Sequence, residues 1–504
     1  MLWEPTDLTK IRLIADYSYS EGDEGLNATM IPGAVGILGA TFSGRYTTTN
    51  SPSDYGDNTQ YGFSARVDQD LGSLQLVSIS AYRANDQYFH IDVDSSTPVF
   101  LRSDLTGRNR TFSQELQLHG PTDGKLNWLI GAYYFNSSAG LRPLTFTGIT
   151  QTPVGGRKDT IDTVHLDSYS GFVDGSYELF PDTKLTLGLR YTTDRLKNDV
   201  LILDAAGNAI LTTPFVQKDT FSKLTYRAIL DHHFTEDVLG YASYSRGFKS
   251  GGYNLTNPIR TIGGVTTPAP PVAPEIIDAF EVGLKTEWFD NRLRANISAF
   301  YYNYKNLQVA SVGNGTSTII NGANAHIKGV DVDFEASPVA RIRLNGGLSF
   351  LDSEFSSFAN GPFTVPNPAT CGTNPQTTGP LTGGNTTCSL DLTAFRTPRA
   401  PKFTGSLSAT YDLPTEIGDF ALTGSVYHNS GFAWEADNRL KQAAYTLLNA
   451  TLGWASSDGE FSASLWAKNL GNSYYYTYVS AATPRDAGPP APPRTYGMNL
   501  GVHF

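Results

Sequence analysis

The 504-residue sequence has few charged residues, since Asp, Glu, Lys and Arg make up 17% of it, against about 25% in soluble globular proteins. It has no long basic run, and its net charge of -11 argues against a nucleic-acid-binding surface. Only two cysteines occur, Cys371 and Cys388, so disulfides are not the framework of the fold. No apolar run approaches the roughly 20 residues that a membrane-spanning helix needs. The mean hydropathy of -0.25 likewise excludes a bundle of membrane helices.

The first residues also lack the features of an export signal. Met1–Asp7 has neither a basic region nor an apolar stretch, so it is not a signal peptide. If the protein is exported, we expect its natural start to be missing from this sequence or to have been removed.

Alternating apolar and polar residues are the strongest pattern in the sequence. In the last segment, Tyr496, Met498, Leu500, Val502 and Phe504 fall on every second position. The same alternation occurs in Lys184–Thr192, Lys223–Leu230, Arg292–Tyr301, Arg341–Phe350, Lys402–Tyr411 and Glu460–Lys468. A period of two is typical of a strand with one apolar and one polar face. No comparable stretch has the helical period, so the sequence predicts an all-β protein.

Short and long connections alternate along the whole chain. The short ones contain Pro, Gly, Asp or Asn, which favour tight turns, and begin at Glu4, Gln69, Gly120, Phe180, Phe234, Phe289, Ser337, Leu413 and Ser456. The long ones lie near 21–59, 93–110, 139–166, 200–220, 251–277, 310–324, 357–401, 435–444 and 480–493. This asymmetry is typical of a transmembrane antiparallel β-barrel, with tight periplasmic turns and long outer loops. A soluble sandwich or propeller has no reason to collect every long loop at one end.

The strand count predicts an incomplete barrel. We count about eighteen strands after the first turn, plus a stub at Leu2–Trp3. Bacterial single-chain barrels have even strand numbers, so the full barrel would have about twenty or twenty-two. The last strand would then lack its normal partner, and its outer edge would be unpaired or imperfectly matched with the strand near Lys10–Tyr19.

Several segments resemble strands of the TonB-dependent outer-membrane receptors, and they occur in the family's order across nearly the whole chain. They are Thr111–Leu118, Tyr241–Asn254, Pro274–Lys285, Ala299–Gln308, Ile327–Asp331, Arg396–Pro401, Ala467–Leu470 and Pro493–Phe504. The resemblance implies a barrel of about 22 strands in the bacterial outer membrane. It also implies import of a scarce nutrient, typically a ferric siderophore, by a monomer that contacts membrane lipid and couples to the TonB complex.

The resemblance also indicates which parts to expect elsewhere. The family begins with a signal peptide, a TonB box, a plug and the first strands, and none of these is recognised in the sequence. Residues 1–504 are therefore predicted to be the receptor barrel domain, with TonB acting through the missing N-terminal segment. A passive porin remains the alternative, although porins typically use about 16–18 strands.

Candidate binding residues lie beside one predicted outer loop. Arg246, Lys249, Tyr253 and Asn254 would sit near the external mouth, where they would contact an anionic ligand or simply shape the loop. Cys371 and Cys388 share another outer loop, and a disulfide between them would staple it.

No metal-binding, cofactor-binding or catalytic motif is recognised. The sequence is therefore not predicted to be an enzyme, and a lipase-type barrel is disfavoured.

Overall fold

A computed structural model describes residues 1–22, 28–37, 39–48, 54–94, 101–148, 151, 155–313, 316–367, 383–482 and 484–503. Within these ranges, no helix is long and apolar enough to cross a membrane. The first strands are β1 (Leu2–Thr6), β2 (Thr9–Gly22), β3 (Thr29–Met30), β4 (Tyr55–Asp70), β5 (Gln75–Asp92), β6 (Arg102–His119), β7 (Leu126–Thr147), β8 (Arg157–Phe180), β9 (Thr183–Leu203), β10 (Phe215–Thr235), β11 (Val238–Lys249), β12 (Ile259–Ile262), β13 (Val265–Pro268) and β14 (Glu275–Trp288). The rest are β15 (Leu293–Gly313), β16 (Thr316–Ala336), β17 (Ile342–Ser357), β18 (Gly361–Pro366), β19 (Asn385–Leu390), β20 (Phe403–Thr415), β21 (Gly418–Asn429), β22 (Phe432–Ala433), β23 (Lys441–Gln442), β24 (Tyr445–Ala455), β25 (Phe461–Lys468), β26 (Ser480–Ala481), β27 (Asp486–Gly488) and β28 (Thr495–Val502).

Nineteen of these strands form one large antiparallel sheet. Each pairs with its neighbour in the chain, in the order β1, β2, β4, β5, β6, β7, β8, β9, β10, β11, β14, β15, β16, β17, β20, β21, β24, β25 and β28. The predicted all-β barrel wall of about eighteen strands plus a stub is confirmed, and the stub is β1. The remaining strands form small sheets within the loops.

The tight turns lie where the sequence predicts them, at one end of the sheet. Asp182 and Asn291 have φ angles of 64° and 63°, a region that Asp and Asn tolerate better than most residues. The aromatic residues beside these turns, among them Phe180 and Phe289, are exposed. We call this edge the turn end and the opposite edge the loop end.

The wall has one apolar and one polar face. On β9, Leu187, Leu189 and Tyr191 are 54%, 46% and 54% exposed, and Gly188 and Arg190 alternate with them. Successive side chains of a strand point to opposite faces. An exposed apolar band of this kind is suited to lipid, so we call its face the outer face and the polar one the inner face.

The strands are longer at the loop end than the sequence predicts. β7 runs to Thr147 and β8 begins at Arg157, so most of the predicted connection 139–166 is strand. The predicted connections near 93–110, 200–220 and 310–324 are also partly strand. These predictions of extent were wrong because the ladders continue above the apolar band, where the apolar alternation ends but backbone pairing does not.

The two edges of the large sheet are joined through loops. Within the described residues, β28 pairs with β25 alone, and no pairing joins it to β1 or β2. Instead, β26, β27 and β3 form a small sheet in which Ala487 lies opposite Met30. This three-stranded sheet, which we call the clasp, connects the loop before β28 with the loop after β2.

A second set of loops at the loop end is supported by a compact apolar cluster. Its buried members are Val309, Ala323, Ala325, Phe355, Phe358, Leu392 and Ala436. They come from β15, β16, β17 and the loops around 392 and 436, so the cluster fixes these loops against the top of the wall.

Candidate functional site

A cavity of about 430 Å³ lies between the loops and the inner face at the loop end, and we call it the mouth pocket. Strand residues form one side, and the loops that follow β19 and β22 and precede β26 form the other. Its lining is Glu275, Tyr304, Leu307, Gln308, Val309, Ala310, Ile327, Thr397, Pro398, Arg399, Trp434, Glu435 and Tyr478.

Arg399 is the cation of the mouth pocket. Its guanidinium carbon lies 5.8 Å from the ring centre of Trp434 and 5.1 Å from that of Tyr478. The backbone N–H of Arg399 donates to the Ala433 carbonyl at 2.7 Å, and its φ angle is 56°. Arg399 forms no ion pair with any residue that the structure describes. The two rings thus hold a guanidinium whose N–H donors remain available to an anion.

Trp434 forms a buried aromatic wall of the mouth pocket. Its side chain is 5% exposed, and its indole Nε1 has no hydrogen-bond partner among the described residues. A buried donor without a partner carries a free-energy cost.

Glu435 is the acid of the mouth pocket. Its Oε1 accepts the backbone N–H of Ala481 at 2.9 Å. Burial raises the pKa of Glu435 to about 6, with Asp437 and Asp486 adding to the rise and Arg439 opposing it. The carboxyl therefore changes charge close to neutral pH.

A second cavity of about 760 Å³ lies along the inner face, lower in the wall. There the guanidinium of Arg190 lies 5.4 Å from the ring centre of Tyr133 and 5.2 Å from that of Phe172. Arg227 pairs with Asp174 at 2.8 Å. Like Arg399, Arg190 has aromatic contacts and no carboxylate partner among the described residues, but it also donates to the hydroxyls of Ser170 and Thr192. The inner face thus offers cationic and aromatic contacts beyond the mouth pocket.

The four predicted binding residues do not converge on one point. Arg246 lies on the outer face and pairs with Asp278 at 2.6 Å. Tyr253 donates its hydroxyl to Asp219, and Asn254 exchanges hydrogen bonds with the Ile319 backbone at 2.9 and 2.7 Å.

Lys249 is exposed and lies opposite Glu275 in the ladder. Ligand contact by Arg246, Lys249, Tyr253 and Asn254 therefore stays a prediction. Cys388 lies in β19, whereas Cys371 lies outside the described residues, so the proposed disulfide also stays a prediction.

Sequence reasoning missed the residues of the mouth pocket. Arg399 belongs to the segment Arg396–Pro401, which carries the family resemblance but no assigned role. Trp434 and Tyr478 lie in connections that are rich in aromatic residues, Phe432–Trp434 and Tyr474–Tyr478, and that enrichment is the signal that could have found them. In the described part of the chain, no group of three or more His, Cys, Asp or Glu side chains could hold a metal ion.

Comparison with protein families gives one match along the chain. Residues 3–470 match the family model of the TonB dependent receptor-like β-barrel. The pesticin receptor of Yersinia enterocolitica is 25% identical over 277 residues, which is 54% of this chain and 34% of that protein. The probable TonB-dependent siderophore receptor PiuA of Acinetobacter baumannii is 23% identical over 276 residues, or 54% of this chain and 33% of that protein. The match thus spans about a third of the length of these curated relatives.

Solved structures show the same architecture. The ferric yersiniabactin uptake receptor FyuA from Yersinia pestis aligns with a TM-score of 0.77 and 18% identity, covering 99% of this chain and 68% of that one. The siderophore receptor PiuA from Acinetobacter baumannii aligns with a TM-score of 0.71 and 17% identity, covering 98% and 71%. The chain is therefore a bacterial outer-membrane β-barrel chain that belongs to the TonB-dependent receptor-like family.

Proposed function

We propose that the protein is a receptor and transporter that imports a ferric siderophore across the outer membrane, energised through TonB. The observation that carries the proposal is the mouth pocket. Arg399 has no ion-pair partner among the described residues, and aromatic rings form the walls around it. These features suit a ligand that is planar in part, rich in acceptor oxygens and negatively charged. Ferric complexes of chelating phenolates have this chemistry.

The names of the relatives support the same ligand class. A pesticin receptor, a probable siderophore receptor and a ferric yersiniabactin uptake receptor all share the family or the fold. We further propose that residues 1–504 supply the barrel wall and outer loops. The energised step would depend on a plug and a TonB-binding segment of the kind that the resemblance implies.

The polar inner face provides the route after capture. Arg190 and Arg227 line its cavity together with Asp174 and Glu281. We propose that the ligand passes from the mouth pocket along these contacts. Mixed charges there would keep an anionic complex from binding too tightly to leave.

Binding of a ferric tris-catecholate complex to the purified chain in detergent tests the proposal by calorimetry. Arg399→Gln removes the unpaired cation, and the loss of a charged contact is expected to weaken binding by about tenfold or more. Arg292→Gln is the matched control, because Arg292 is exposed at the turn end and makes no side-chain ion pair with a described residue. Equal affinities for all three proteins would contradict the proposal. Steady open-channel current in a planar bilayer without any binding would identify a passive pore instead.

A further inference from the structure

The outer face of β9 and β10 changes from apolar to cationic towards the loop end. The two strands pair without a bulge from Phe215 opposite Val200 to His232 opposite Thr183, so the alternation of faces is unbroken along both. Tyr191 lies opposite the exposed Leu224 in this ladder and is the last apolar residue of the band on β9. The next outer-face residues of β9 are Thr193, Arg195 and Lys197.

Three exposed cations meet above this boundary. Lys197 lies directly opposite Lys218, and Arg195 lies opposite Thr220, one diagonal step from Lys218. Directly opposite residues have Cβ atoms about 5 Å apart, and diagonal neighbours about 7–8 Å. Arg195, Lys197 and Lys218 are therefore close enough to contact one small anion, and we call them the outer triad.

Charge within the outer triad is only partly balanced by the protein. Lys197 pairs with Asp199 at 2.7 Å. Neither Arg195 nor Lys218 forms an ion pair with a residue that the structure describes. Asp167 lies opposite Arg195, but its Oδ1 accepts hydrogen bonds from Tyr134 and Asn136. Like charges directly opposite each other destabilise a sheet, so an external anion would stabilise this arrangement.

The contact of Arg195 with a tyrosine shows where the outer triad lies relative to the apolar band. Its guanidinium carbon lies 5.7 Å from the ring centre of Tyr169, an outer-face residue that is 47% exposed. Tyrosines at the edge of an apolar band mark the membrane–water interface. The guanidinium thus lies at the level of the lipid headgroups.

Two other outer-face arginines show what is distinctive about Arg195. Arg110 lies 5.8 Å from the ring centre of Tyr61, and Arg246 lies 5.5 Å from that of Tyr226. Both, however, pair with carboxylates, Arg110 with Asp86 and Arg246 with Asp278 at 2.6 Å. Each carboxylate also pairs with a second cation, Arg108 or Lys305. Arg195 has the same position over a tyrosine, but no carboxylate of a described residue forms an ion pair with it.

We propose that the outer triad binds the phosphate group of a phosphorylated glycolipid in the outer leaflet of the membrane. The loop end is predicted to face outwards, which places the outer triad in that leaflet. A phosphate offers several acceptor oxygens to the Arg195 fork and to the ammonium groups of Lys197 and Lys218. The site is independent of the ligand that the mouth pocket takes.

Titration of the purified chain in zwitterionic detergent with diphosphoryl lipid A, followed by native mass spectrometry, tests this proposal. A cation near an anionic lipid surface contributes about fivefold in affinity, so Arg195→Gln/Lys218→Gln is expected to bind about 25-fold more weakly. The control Lys125→Gln/Lys184→Gln removes two exposed lysines at the turn end that form no ion pair with a described residue, and it is expected to bind like the unmodified protein. The charge-preserving variant Arg195→Lys/Lys218→Arg should retain binding, which separates loss of charge from loss of fold.

Two results of the lipid titration would overturn the proposal. One is equal binding of diphosphoryl lipid A by the double glutamine variant and the unmodified protein. The other is equal binding of lipid A from which both phosphates have been removed. Inorganic phosphate at the lipid's concentration is expected to compete poorly, and full competition by it would show an ion site rather than a lipid site.

Discussion

Thr29 donates its hydroxyl to the Gly488 carbonyl at 3.3 Å, across 459 positions of the sequence. The contact belongs to the clasp, where Met30 and Ala487 are directly opposite and both buried. The clasp therefore holds together two parts of the chain whose own strands, β2 and β28, do not pair.

The clasp predicts a specific crosslink. The double variant Met30→Cys/Ala487→Cys places a cysteine at each of two directly opposite positions. The Cα atoms of such a pair lie within the distance that a disulfide spans. We expect mild oxidation to form this disulfide. After proteolytic digestion, mass spectrometry should detect the two linked peptides, and reduction should separate them. Met30→Cys/Ala481→Cys is the control, because Ala481 lies on β26, two strands from β3 and about 9–10 Å away. Equal linkage in both variants would contradict the clasp.

A buried ion pair secures the loops next to the clasp. The two terminal guanidinium nitrogens of Arg439 donate to Asp486 at 2.7 Å, and the Asn385 side chain donates to the same carboxylate at 2.8 Å. Because removing one partner leaves a buried charge, Asp486→Asn is expected to cost about 3–5 kcal/mol locally. Limited proteolysis should then cut the outer loops much faster.

An exposed ion pair provides the matched control for that experiment. Arg343 and Asp412 make a two-nitrogen contact at 2.9 Å, but their side chains are 64% and 37% exposed. Asp412→Asn is expected to leave the rate of proteolysis nearly unchanged, because an ion pair exposed to solvent contributes little to stability. If both substitutions accelerate proteolysis equally, the buried pair has no special role.

Asp162 predicts a pH-dependent stability above the apolar band. Asp162 and Asn198 are fully buried, and their side-chain polar atoms have no hydrogen-bond partner among the described residues. Burial raises the pKa of Asp162 to about 7, against a smaller lowering by Asn198. The folded protein thus keeps a proton that the unfolded chain loses near pH 4.

The sign of this effect follows from proton uptake. Between about pH 4 and pH 7 the folded state binds the extra proton, so the free energy of unfolding decreases as pH rises and levels off above pH 7. The total decrease in the free energy of unfolding is of the order of 4 kcal/mol. Urea unfolding followed by tryptophan fluorescence should show this slope, and Asp162→Asn should remove it. An identical slope in the variant would show that other groups cause it.

Glu435 predicts a pH-dependent affinity in the mouth pocket. Because burial raises the pKa of Glu435 to about 6, the carboxyl gains negative charge between about pH 5 and pH 7. An anionic ligand next to Arg399 should therefore bind more weakly as pH rises through that range. Glu435→Gln should bind with a flatter pH dependence, measured by calorimetry with a ligand that does not itself titrate there. Steeper dependence in the variant would reject this role.

The wall was predictable because lipid contact imposes a strict rule on every second residue. Leu187, Leu189 and Tyr191 show the rule in the sequence as clearly as in the structure. Above Tyr191 the outer face meets water and headgroups, and no apolar period marks the strand. The ends of β7 and β8 were misplaced for that reason.

The mouth pocket was not predictable because it joins distant connections. Arg399, Trp434 and Tyr478 come from different loops, and their spacing in the sequence carries no information about contact. The outer triad was predictable from the sequence only in part. Arg195 and Lys197 show the strand period in the sequence, but only the register of β9 with β10 brings Lys218 to them.

The clasp also sets an order of events in folding. Neighbouring strands of the large sheet are close in sequence, so each hairpin closes a short loop with little loss of chain entropy. The contact between Met30 and Ala487 closes a loop of nearly the whole chain, and it gains stability only once the intervening strands are in place. The clasp should therefore form last, and its appearance would report that the wall is already assembled.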